Sequence, residues 1–91
     1  MCLSTKLESV ISKIKKNALK IVTAESCTGG LLSKIFTDIP GSSKWFECGF
    51  ITYSNESKIK LLNVDFESLE KFGAVSSQVA KEMAIGALKK S

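Results

Sequence analysis

The chain has 91 residues, 44% of them hydrophobic, and a formal net charge of +4. That length holds one small core rather than two domains, and no apolar run reaches the ~20 residues of a membrane span. There is no histidine and every one of the thirteen basic side chains is lysine. Serine–histidine and cysteine–histidine dyads, histidine-containing metal sites and bidentate arginine clamps are therefore excluded within these residues.

Leu7, Val10, Ile11 and Ile14 recur at helical spacing, with Ala18 continuing the stripe. They predict an amphipathic helix over 5–17. A short buried strand is expected at 20–24. The run Thr23-Ala24-Glu25-Ser26-Cys27-Thr28-Gly29-Gly30 then sits where a strand hands over to a helix. Unpaired N–H groups at such a helix start favour anions, so this run is the first candidate for a small, charged ligand. The helix itself is expected over 28–37, burying Leu31, Leu32, Ile35 and Phe36.

Pro40-Gly41-Ser42-Ser43 reads as a loop. The aromatic and β-prone stretch 45–53 reads as a second strand, with Phe46, Cys48, Phe50 and Thr52 on one side. Gly49 in its middle suggests a bulge or a close backbone approach. Ser54-Asn55 is placed to cap a short helix ending near Leu62. Asp65 caps another, anchored by Phe66, Leu69 and Phe72 and stopped by Gly73. Ser76 caps the last helix, whose stripe is Val79, Ala80, Met83, Ala84, Ala87 and Leu88. Lys89 and Lys90 suit its C-terminal dipole. The order predicts an α/β fold: part of an α/β/α layered sandwich, a short sheet flanked by amphipathic helices, in a single domain over 1–91. Two strands make a poor sheet, and the face of Val79, Met83, Ala84 and Leu88 is expected to need a partner.

Cys2, Cys27 and Cys48 are odd in number and form no C-x-x-C pair. Reduced thiols and a cytoplasmic setting are the expectation, since the N-terminus also lacks signal-peptide order. The lysines, with Lys13, Lys15 and Lys16 the tightest cluster, read as solvated faces; no interleaved aromatics point to nucleic acid. No metal site is expected.

In the first run, Ser26, Thr28, Gly29 and Gly30 are the residues expected to line a pocket, glycines letting a ligand approach the backbone. Cys27 could gain nucleophilicity at a helix N-terminus, or be a small packing residue. Glu25 could position a hydroxyl or a lysine, or face solvent. Asn55 reads as a cap, and Lys58, on spacing alone, as a surface lysine.

Four segments occur in fixed order: TAESCTGG at 23–30, PGSS at 40–43, TYSNESK at 52–58 and GAVS at 73–76, the last followed by VAKEMAIGAL. Together they resemble the CinA C-terminal domain family, the nicotinamide-nucleotide amidases, over nearly the whole chain. The resemblance is to the N-terminal part of that domain. It implies hydrolysis of the carboxamide of nicotinamide mononucleotide to nicotinic acid mononucleotide and ammonia, a layered α/β/α fold, a cytosolic setting, oligomeric assembly and no organic cofactor. It also implies Ser43 as nucleophile; with no histidine in the chain, Tyr53 and Lys58 are the local candidates to assist proton transfer. The rival expectation is a non-catalytic remnant or interaction subunit, or a chain whose missing part comes from a second polypeptide.

Overall fold

The computed structural model describes residues 3–91, with side chains from Thr5 onward; Cys2 lies outside the described residues. Helix α1 spans Leu3–Lys16 and strand β1 Ile21–Glu25. Helix α2 spans Leu31–Thr37, and a 3-10 turn occupies Ser42–Lys44. Strand β2 is Phe46–Ile51, followed by helices α3 Asn55–Leu62, α4 Phe66–Phe72 and α5 Ser77–Lys90. The two strands pair in parallel. One face of the sheet meets α5 and the other α2, so the expected α/β layering is present.

The caps follow the chemistry of their residues. Ser54, Asp65 and Ser76 each sit in extended backbone and accept a backbone N–H, from Ser57, Glu67 and Val79 respectively. Ser54 alone caps α3, and Asn55 is its first helical residue. Helix α1 ends before Ala18, which turns into the left-handed region at φ 52°. The Leu19 N–H folds back to the Ile14 carbonyl at 3.0 Å. Ala18 therefore leaves the stripe it was expected to continue.

Two apolar clusters lie on opposite sides of the sheet. Leu62, Val64, Leu69, Val79, Met83 and Ala87 form one, with Val22, Ala24 and Phe50 packed against them. Ile11, Ile14 and Trp45 form the other, with Leu7, Ile21, Phe36, Ile39 and Phe46. Phe46 does not share a side with Phe50. The register shifts between Ile21↔Phe46 and Val22↔Cys48, leaving Glu47 as the extra residue of a bulge that turns Phe46 to the opposite face. Of the two alternatives expected at Gly49, the bulge falls instead at Glu47.

Several expected core positions are exposed. Helix α2 begins at Leu31 rather than Thr28 and buries no residue fully; Leu31 and Leu32 are open to solvent and Ile35 and Phe36 half-buried. Only Leu69 of α4 is buried, while Phe66 and Phe72 are exposed. A seven-residue helix has one side to bury, and Leu69 occupies it. In α5, Val79, Met83 and Ala87 pack within the chain, whereas Ala80, Ala84 and Leu88 stay exposed. The face expected to need a partner is thus half covered by α3, α4 and the sheet.

Helices α3 and α5 approach closely at Gly86, where a Cβ would overlap the Leu62 carbonyl. Gly86→Ala is expected to destabilise the fold by about 2–3 kcal/mol, overpacking outweighing a helix-propensity gain of ~1 kcal/mol. Urea unfolding measures this, and a neutral or stabilising result would mean that α3 and α5 do not pack this closely.

Candidate functional site

Glu25 ends β1 with its side chain turned toward α2, and it is only 3% exposed. A buried carboxylate needs donors, and the chain supplies four. Glu25 Oε1 accepts the Leu32 N–H at 2.7 Å and the Thr28 hydroxyl at 2.8 Å. Oε2 accepts the Ser33 N–H at 2.9 Å and the Ser33 hydroxyl at 2.6 Å. Burial pushes the carboxyl up, but the bonds from the Ser33 hydroxyl, the Ser33 and Leu32 N–H groups and the Thr28 hydroxyl outweigh it, giving a pKa of about 2. Because Ser33 spends its one hydroxyl proton on Glu25, the Thr23 hydroxyl, 2.7 Å away, donates to Ser33 Oγ.

Two neighbouring details make room for this cluster. Gly29 and Gly30 take φ of 62° and 106°, a reversal that returns the first turn of α2 to the carboxylate. At Gly49 on β2, a Cβ would lie 2.6 Å from both the Thr23 and Ser33 hydroxyl oxygens. The close approach expected at this glycine is present, and its cause is the hydroxyl pair beneath it. Ser33 was not singled out in the sequence; its position two residues into the helix, opposite a strand-end glutamate, is the signal that marks it.

The network also corrects the first expectation for this run. The Leu32 and Ser33 N–H groups at the start of α2 already bind Glu25, so they are not free to hold a ligand anion. What the run presents outward is the turn Ser26-Cys27-Thr28. With Leu32, Ala74–Ser77, Ala80 and Met83 it lines a cleft of about 720 Å³. Ser26 is half-buried and Cys27 exposed. Of the residues expected to line the pocket, Ser26 and Thr28 do so, whereas Gly29 and Gly30 shape the turn behind it.

Lys58 is the largest departure from a surface reading. It is 1% exposed, and its Nζ donates to the carbonyl oxygens of Thr52 at 2.8 Å and Tyr53 at 3.1 Å. Burial lowers its pKa, and the neighbouring Cys27 opposes that shift. No carboxylate pairs with it. The Thr52 N–H donates to the Glu25 carbonyl at 2.8 Å, which sets the residue after Glu25, Ser26, beside the segment that holds Lys58. Tyr53 is 73% exposed and its side chain lies outside the cleft lining.

Ser43 is elsewhere. It sits exposed in the 3-10 turn that precedes β2, while Tyr53 and Lys58 follow the strand's other end. Six strand residues at about 3.3 Å each put roughly 20 Å between them. Within one chain Lys58 lies near enough to Cys27, the neighbour of Ser26, for their charges to interact, although it is not itself among the residues lining the cleft; Ser43 lies at the other end of β2. The neighbouring Ser42 is buried and donates to the Thr37 carbonyl at 3.2 Å, tying the PGSS loop to the end of α2. Among the described residues, no cluster of three or more metal-ligating side chains occurs, and no helix is long and apolar enough to cross a membrane.

The family model of the CinA C-terminal domain matches residues 4–91. The chain belongs to the CinA C-terminal domain family. Nicotinamide-nucleotide amidohydrolase PncC of Escherichia coli strain K12 is 55% identical over 82 residues, covering 90% of this chain and 50% of that protein. A CinA-like protein of Chlorobium limicola is 54% identical over 88 residues, 96% of this chain and 20% of that protein. Among solved structures, the CinA superfamily protein of Escherichia coli superposes with a TM-score of 0.86 at 37% identity, over 91% of this chain and 48% of that one. The competence/damage inducible protein of Agrobacterium tumefaciens gives 0.84 at 46% identity, over 92% and 51%. The chain thus spans about half the length of the PncC relatives and a fifth of the CinA-like one.

In this CinA-family chain the Glu25 network makes stability depend on acid. The folded pKa, about 2, lies below the ordinary 4.5, so the contribution is fully present above about pH 5 and is lost as pH falls toward 2. Its size is on the order of 2–3 kcal/mol. Glu25→Gln, which sets an amide donor against the Ser33 donors, is expected to remove this acid dependence and to lower the urea midpoint at pH 7. Parallel acid profiles for the two proteins would assign the dependence to other carboxylates.

Proposed function

We propose that this chain carries the nucleophile-bearing part of an amidase site for nicotinamide mononucleotide, with Ser26 as nucleophile and Lys58 as its base. The observation that carries the reading is Lys58: a buried lysine with a lowered pKa, held beside the Ser26 turn by two carbonyls. A neutral amine has two N–H groups and one lone pair. The Thr52 and Tyr53 carbonyls take the two N–H groups, which leaves the lone pair to accept a proton. Serine–lysine pairs are an established alternative to the serine–histidine arrangement, and this chain has no histidine.

The chemistry balances within these groups. Ser26 Oγ attacks the carboxamide carbon as its proton passes to Lys58 Nζ. The tetrahedral intermediate collapses to an acyl ester as Lys58 returns the proton to the departing ammonia, and water then releases the acid. The developing oxyanion needs donors other than Leu32 and Ser33 N–H, which Glu25 holds. Ser43, the nucleophile that the resemblance implies, lies at the opposite end of β2 from Lys58, roughly 20 Å away in its own chain. Cys27 is the nearer rival, since it too lines the cleft.

The name of the 55% identical PncC relatives supports the substrate. The open cleft supports a further part, from another copy or a second polypeptide in the same cytosolic compartment, that closes it over the nucleotide. A second reading, a non-catalytic interaction subunit, is favoured by exposed apolar residues that line the cleft, Val75 at 93% and Leu32 at 40%.

Ammonia release from nicotinamide mononucleotide is the test. Ser26→Ala and Lys58→Met are expected to lower the rate about 10³-fold or more, and Cys27→Ala and Ser43→Ala less than about threefold. The rate should climb with pH on a limb below lysine's ordinary 10.5, as Lys58 loses its proton. Loss in Ser43→Ala with activity kept in Ser26→Ala would reverse the assignment. A folded sample that neither releases ammonia nor acylates at Ser26 with a small serine-reactive ester would leave the interaction-subunit reading.

A further inference from the structure

The proposed amidase chemistry uses one end of the sheet and leaves a second cavity at the other end without a role. This cavity measures about 670 Å³, within the range of small-molecule sites. Ile14, Ala18, Leu19, Pro40 and Trp45 give it an apolar floor, and Lys15, Lys20 and Lys44 stand around it. No aspartate or glutamate is among the residues that line it.

The convergence of these lysines follows from the backbone. Lys20 and Lys44 lie just before the two parallel strands, and the Ile21 N–H donates to the Trp45 carbonyl at 2.7 Å, so the register sets the two side by side. The left-handed turn at Ala18 folds the last turn of α1, with Lys15, back over them. All three lysines are exposed, and none forms an ion pair; the ion pairs among the described residues are Lys34–Asp38 and Lys60–Glu56.

A helix C-terminus ordinarily repels anions through its free carbonyl oxygens. Here three of those oxygens are occupied. The Lys13 carbonyl accepts the Asn17 N–H and side-chain amide, the Ile14 carbonyl accepts Leu19 N–H, and the Lys15 carbonyl accepts Ala18 N–H. Dipole complementation accounts for Lys15 and, at the end of the single 3-10 turn, for Lys44, but not for Lys20, which lies in no helix. Three uncompensated cations around one concave surface repel one another, and a ligand anion relieves that repulsion.

We propose that this cavity binds a small organic anion, a flat apolar ring on the floor of Leu19, Pro40 and Trp45 with a phosphate held by Lys15, Lys20 and Lys44. The site is separate from the Ser26–Lys58 cleft and gives the PGSS loop, which contributes Pro40 and Gly41, a ligand-facing role. Its ligand class is a nucleoside monophosphate or a compound of the same build.

Trp45 is the only tryptophan, and it lines this cavity and not the cleft, so its fluorescence reports the site directly. Titration with adenosine 5′-monophosphate is expected to change Trp45 emission saturably, and more weakly as salt is raised. Adenosine alone and inorganic phosphate alone should each bind at least about tenfold more weakly, because each satisfies half of the site. The Lys15→Gln/Lys20→Gln/Lys44→Gln variant should weaken binding by about tenfold or more with its urea midpoint unchanged, while a Lys60→Gln/Lys81→Gln/Lys90→Gln variant of equal charge should bind as before. Absence of any Trp45 response overturns the proposal, as does equal weakening in the two triple variants. Inorganic phosphate binding as tightly as the nucleotide would overturn the role given to the apolar floor.

Discussion

A single buried carboxylate organises the most chemically loaded part of this chain. Glu25 could have been a solvent-facing loop residue, yet it stands at the end of a strand and gathers two hydroxyls and two helix N–H groups. In doing so it fixes where α2 begins, how the Ser26–Thr28 turn is displayed and why Gly49 carries no side chain. A negative charge at a helix start is favourable in itself, and supplying it from within the chain replaces a ligand there with a structural element. The turn is then rigid on one side and open on the other, the condition a reactive hydroxyl needs if it is to be held in position.

The parallel pairing of β1 and β2 decides what can meet what. Segments that follow the strands, Ser26–Thr28 and Thr52–Lys58, share one end; segments that precede them, Lys20 and the PGSS loop, share the other. In open α/β sheets ligands are taken at the carboxyl ends of strands, and the cleft obeys this. The same pairing separates Ser43 from Lys58. Two residues that look close along the sequence stand apart once the length of β2 is laid out in space.

Much of the fold was legible because the signals were local. Ser54, Asp65 and Ser76 announce helix starts through short polar side chains, and the Val79–Met83–Ala87 spacing marks a buried helical face. What was not legible depended on pairing. The bulge at Glu47 that sends Phe46 to the opposite face arises from register between two strands, and nothing within 45–53 encodes it. Phe66, Phe72, Leu31 and Leu32 have the spacing of core residues, but short helices have one side to bury and these residues fall off it. In the site, TAESCTGG was recognisable as a handover, but its meaning inverted: the anion at the helix start is the chain's own. Lys58 reads as a surface lysine until the β2–α3 connection turns it inward.

The two apolar clusters lie on opposite faces of the sheet and are joined only through it. Helix α1 belongs to one of them, through Ile11, Ile14 and half-buried Leu7, whereas Ala24 and the α3–α5 layer behind the Ser26 turn belong to the other. A helix docked by so few side chains opens at low free energy, independently of global unfolding. The amides of α1 are therefore expected to exchange with solvent faster than those around the Glu25 network. The sheet thus separates two packed layers, one behind the Ser26–Thr28 turn and the other holding α1.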